Sequence, residues 1–91
     1  MARLAIELTT GDSHSYDITP AAEYAFEQEF NTGIYKRFRD LEKQSDTFWL
    51  AHWLLAANGV TVKPFGADFV STLKDVRYVA ETNPKENGAK D

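Results

Sequence analysis

Asp12, Ser13 and His14 stand side by side, and in type they are the acid, nucleophile and base of a hydrolytic site. Such a site works by convergence. The hydroxyl must reach the imidazole, the imidazole must reach a carboxylate, and all three must border a pocket. Three neighbours just after Gly11 do not supply that, and the triplet reads as a solvated turn. Metal chemistry fares no better. His14 and His52 are the 2 histidines of the chain, HExxH is missing, and no EF-hand spacing of carboxylates occurs. Glu27 and Glu29 are a pair of acids common on any helix face. The 5 glycines stand apart and form no phosphate-binding loop. With 0 cysteines, thiolate ligands, Cys nucleophiles and disulfides are excluded. The residues therefore assign no catalytic role, no metal and no cofactor, and the chain reads as a non-enzyme.

The aromatic residues say more. Trp49 and Trp53 sit one helical turn apart, and Phe65 and Phe69 repeat that spacing after Pro64. Each such ring can bury about 150–250 Å². Most belong in a core by default. The sharper reading is that one face of Trp49, Trp53, Phe65 and Phe69, with Tyr24 or Tyr35, docks a partner, because Trp and Tyr dominate interface hot spots.

These residues are positioned by a short run of elements. Leu4, Ile6 and Leu8 alternate with polar neighbours, as in a half-buried strand. Gly11-Asp12-Ser13 turns the chain, and Tyr16 and Ile18 resume an extended pattern, so residues 3–18 read as a β-hairpin. A lone hairpin is marginal in water and must lie on a helix. Thr19-Pro20 is a helix start, with Ala22, Phe26 and Phe30 on one stripe. Gly33 is read as a break or cap before a second helix carrying Ile34, Phe38 and Leu41. Lys36, Arg37, Arg39 and Lys43 decorate it, interleaved with acids, as on a solvated face.

The next helix, capped by Ser45 or Asp46, dominates the chain. Its polar line shrinks to Ser45, His52 and Gly59, and such a helix is either central in a core or docked on something. Asn58-Gly59 ends it. Val60 and Val62 form an extended link, Lys63-Pro64 bars a helix there, and Phe65 with Phe69 resembles a staple at a helix start. Phe69, Leu73 and Val76 then continue a helical stripe. Asn83–Asp91 reads as a flexible polar tail.

The chain has 91 residues, 43% of them hydrophobic, which supports one small domain over residues 1–82 with a limited core. Lys+Arg 10 against Asp+Glu 14 gives a net charge of −4, which disfavours nucleic acid as a partner. No apolar run approaches the roughly 18 residues of a membrane span, and MARLAIELTT does not read as a signal peptide. The expected fold is α+β, an N-terminal hairpin packed on a small bundle of three to four helices. Self-association is expected, because the apolar supply exceeds what so short a chain easily hides.

Together these residues resemble the small tail assembly chaperones of long-tailed, siphovirus-type bacteriophages. Thr19-Pro20, Tyr24-Ala25-Phe26-Glu27, Trp49-Leu50-Ala51 and Val62-Lys63-Pro64-Phe65 carry the likeness, which covers roughly residues 16–80. The resemblance implies a non-enzymatic binder of the phage tape measure protein. It would act in the bacterial host cytoplasm, keep that helical partner soluble, and be lost from the mature virion. It also implies a possible longer form made by frameshifting, with which the short form associates. Two rivals belong to other classes: a virion protein of the head–tail connector or tail-terminator type, and a small enzyme or ligand-binding domain. A third, an acidic mimic of DNA, would need its acids on one face, and here they alternate with Lys and Arg.

Overall fold

The structure, a computed structural model, describes residues 2–41 and 44–79, with side chains throughout except at 38–41. Strands β1 (Arg3–Leu8) and β2 (Ser13–Asp17) form the expected hairpin. Helices α1 (Pro20–Phe30), α2 (Ile34–Leu41) and α3 (Gln44–Ala57) follow, then a single turn, α4 (Ala67–Val70), and a third strand, β3 (Leu73–Val79). The fold is α+β, and its sheet is three-stranded and antiparallel in the order β2-β1-β3.

The third strand corrects the sequence reading. The helical stripe Phe69, Leu73, Val76 breaks after α4, and Leu73 and Val76 lie on a strand beside β1 instead. In β3 the residues Asp75–Val79 alternate, with Val76 and Tyr78 half-buried and Asp75, Arg77 and Val79 exposed. Val76 pairs with Ile6 and Tyr78 with Leu4, which are fully buried, so period two, not period 3.6, sets the burial. An irregularity in register between Glu7 and Leu8 absorbs Lys74 at the start of the strand. The hairpin is thus two-thirds of a sheet, and α3 packs on β3 as well as on α1.

The helix ends follow local chemistry. The Thr19 hydroxyl accepts the Ala22 N–H at 3.3 Å, the capping bond expected before Pro20. At the other end of α1 the left-handed residue is Asn31 (φ 57°), not Gly33, and its N–H donates to the Glu27 carbonyl. The Gly33 carbonyl instead opens α2 by accepting the Arg37 N–H at 3.0 Å. Gly59 closes α3 at φ 85°. There Val60 N–H donates to Leu55 O at 3.0 Å and Gly59 N–H to Ala56 O at 3.1 Å, the pair of bonds of a Schellman motif.

The core gathers both halves of the chain. Leu4, Ile6 and Ile18 come from the hairpin, Phe26 from α1, Leu50, Leu54 and Leu55 from α3, and Phe69 from α4. Asp46 does not cap α3. It lies inside the first turn at 1% exposure, held by Arg37 through Nε–Oδ2 at 2.6 Å and Nη2–Oδ1 at 3.2 Å. The Arg37 guanidinium also lies 4.3 Å from the centre of the Phe30 ring, so one side chain joins α1, α2 and α3. The tail Asn83–Asp91, and the side chains of Phe38, Arg39, Leu41 and Lys43, lie outside the described residues.

Candidate partner-binding surfaces

The six candidate aromatics are not one surface. Trp49 points into the molecule, edge-on to Phe26 (5.9 Å between ring centres) and to Phe30 (5.5 Å). Phe69 is fully buried and belongs to the core, so it presents nothing to a partner. Tyr35 is 42% exposed but serves as a strut: its hydroxyl donates to Glu23 at 2.8 Å and its ring packs 6.3 Å from Tyr78. Phe65, 44% exposed, sits edge-on to His52 and caps a shallow hollow of about 370 Å³ over Pro64 and Gly66. His52 faces the Lys63 carbonyl at 2.8 Å through Nε2 and meets the Phe69 ring at 4.8 Å, so it ties the link before α4 to α3.

Trp53 occupies a different side. Successive helical residues point about 100° apart, so Trp53 turns away from its neighbour His52 and lines a groove of about 410 Å³. Tyr16 and Ala21 line it from β2 and α1, Leu54 and Ala57 from α3, and Asp17, Thr19 and Asn58 add polar groups. The groove exists because Ala21 and Ala57 are small. The cap at Thr19 starts α1 where Ala21 faces Trp53, and any longer side chain at either alanine would fill the space. Tyr24, 65% exposed, lies three residues on from Ala21, on the same side of α1. Trp53 is therefore the candidate that lines this groove and Tyr24 stands exposed on α1, while Trp49, Phe69 and Tyr35 are structural.

Chemistry in the opening triplet disperses. Ser13 and His14 point to opposite faces of β2, and His14 Nδ1 lies 3.1 Å from the Tyr16 hydroxyl rather than against Ser13. Asp12 is bonded to Thr10. Among the described residues no three His, Cys, Asp or Glu side chains cluster as metal ligands, and no helix is long and apolar enough to cross a membrane. Tyr16 and Ala21 are groove residues that no motif singles out. Their signal was only the juxtaposition of a small residue after a helix cap with an indole some thirty positions on. Compared with protein-family models, curated proteins and solved structures, the chain matches none.

Proposed function

We propose that this chain is a phage tail assembly chaperone that binds helical segments of the tape measure protein through the Trp53 groove. It works by lending apolar area, with no bond made or broken. The observation that carries the reading is the groove itself: the half-buried Trp53 and the exposed Ala57 of the most apolar helix border it across from the exposed Ala21 of α1, with buried Leu54 beneath and Asp17, Thr19 and Asn58 supplying polar groups. An amphipathic helix seats its apolar stripe in such a groove, and Tyr24 extends the contact by one turn. The net charge of −4 favours solubility of a complex whose partner is apolar. In this role the protein acts in the host cytoplasm during assembly and is absent from the finished particle.

Co-expression with the cognate tape measure protein tests this. Wild type is expected to raise the soluble yield of the partner and to co-purify with it. Ala57→Arg fills the groove at an exposed position near the end of α3, where a cation suits the helix dipole. It is expected to keep the fold and weaken retention at least tenfold. A wild-type protein that neither solubilises nor retains the tape measure protein overturns the reading, and its presence in purified particles points to a virion component instead.

A further inference from the structure

The sheet has two edges, and the chain treats them differently. Leu8 N–H donates to Asp12 O and Ile18 N–H to Ala2 O, both at 2.8 Å, at the two ends of the β1–β2 ladder. Bonded and non-bonded pairs alternate along an antiparallel ladder, so even-numbered residues of β1 bond β2 and odd-numbered ones bond β3. On β2 this turns the Ser15 carbonyl outward, and there the Arg3 guanidinium donates to it at 3.2 Å while also pairing with Asp17. A cation laid over an edge strand discourages a further strand. On β3 the same alternation bonds Asp75, Arg77 and Val79 to β1 and turns the N–H and C=O of Val76, mid-strand, to the open side. Among the described residues no strand lies beyond β3, and no group outside the sheet bonds the Val76 backbone.

We infer that β3 is a self-pairing edge whose partner is β3 of a second copy of this chain, antiparallel about a two-fold axis through Val76. In that register the strand is its own complement. Val76 meets Val76 with both outward backbone groups facing, which is a mutually bonded pair. Asp75 then falls opposite Arg77 of the other copy, and Arg77 opposite its Asp75. These are non-bonded pairs, the closer kind, in which the side chains interact most strongly. Within one copy Arg77 Nε is 3.4 Å from Asp75 Oδ2 on the open face of the sheet, and both side chains are more than half exposed (73% and 54%). The two-fold axis therefore assembles four charges of alternating sign. Slipping by two residues sets Arg77 on Arg77 or Asp75 on Asp75, and slipping by one breaks the bonding alternation, so one register is selected. The product is a continuous six-stranded sheet with a capped β2 at each end. This inference stands apart from the Trp53 groove and from any tape measure partner.

Sedimentation equilibrium on the full chain tests it, with circular dichroism confirming the fold of each variant. Wild type is expected to dimerise. Asp75→Arg and Arg77→Asp each set like charges against each other twice and are expected to weaken the dimer at least tenfold. An equal mixture of the two single variants sets Arg against Asp at all four positions, as does the double variant D75R/R77D, and both are expected to recover wild-type affinity. In wild type, exchange of the Val76 amide should slow at least tenfold from monomeric to dimeric concentrations, a readout that needs no variant. A chain that stays monomeric, a dimer indifferent to the single reversals, a mixture that does not recover, or a Val76 amide insensitive to concentration overturns the inference.

Discussion

Asp46 is withdrawn from water at the start of α3, and Arg37 is what makes that tolerable. The Asp46 side chain is 2% exposed and that of Arg37 18%, so neither partner can fall back on solvent when the other is removed. Breaking such a pair typically costs about 3–5 kcal/mol, whereas replacing both members with apolar residues of similar volume is often neutral or stabilising. Arg37→Ala is therefore expected to destabilise the fold by about 3–5 kcal/mol, slightly more than its charge alone explains, because its contact with the Phe30 ring goes too. The double variant R37M/D46L is expected to recover most of the loss. Urea denaturation of R37A, of the singles R37M and D46L and of the double measures both, and additive losses in the double would show that the two residues act separately. Nothing in the residue pattern disclosed this pair: Asp46 before an apolar run reads equally well as a cap, and only the path of α2 brings Arg37 to it.

At the scale of the element, α3 explains why a helix can be apolar nearly all round. It packs on α1 with one side and on β3 with another, burying Leu50, Ala51, Leu54 and Leu55. Trp49 completes an aromatic cluster with Phe26 and Phe30, and Trp53 is left as the wall of a groove. The two indoles, one turn apart, should differ in their contribution. Trp49→Ala is expected to cost about 3 kcal/mol of stability, the low end for Trp→Ala because the ring is half-buried. Trp53→Ala is expected to cost roughly 1–2 kcal/mol, since one face of that ring already borders solvent. Chemical denaturation ranks them, and the reverse order would make Trp53 the core residue. The hairpin and α1 were legible because their turn or cap and their periods agree, and α3 because its apolar run ends at Asn58-Gly59, although neither Ser45 nor Asp46 caps its start. The strand β3 was not, because Phe69, Leu73 and Val76 fit a helical period by coincidence while α4 is a single turn. Its remaining signal was Val76-Arg77-Tyr78-Val79, β-branched and aromatic residues in alternation, which is the composition of a strand. The candidate surface was legible only in part: residue type points to Trp53 but not to Tyr16, because which side chains meet depends on how α3 is rotated against the hairpin.

The molecule as a whole depends on β3. Central β1 carries Leu4 and Ile6 at the heart of the core, and it has a partner on each side only because the chain returns after α4. Both halves of the sequence must therefore be present before any part is stable. Phe69 seals the core from the far end of the chain, and Val76 and Tyr78 lie beside Ile6 and Leu4 on the helix-facing side of the sheet. A chain ending at Thr72 keeps every helix but loses β3, leaving a two-stranded hairpin with a bare inner edge, which is marginal by itself. That chain is expected to show helical circular dichroism without a cooperative thermal transition. A chain ending at Thr82, which keeps β3, is expected to unfold in one transition like the full protein, as a single small core should. Near-ultraviolet dichroism of Trp49 and its neighbours reads the difference directly: fixed packing gives a signal in the longer chain and almost none in the shorter. If the chain ending at Thr72 melts cooperatively near the full-length midpoint, then the helices and hairpin form a sufficient core, and β3 is an accessory edge rather than the closing element of the fold.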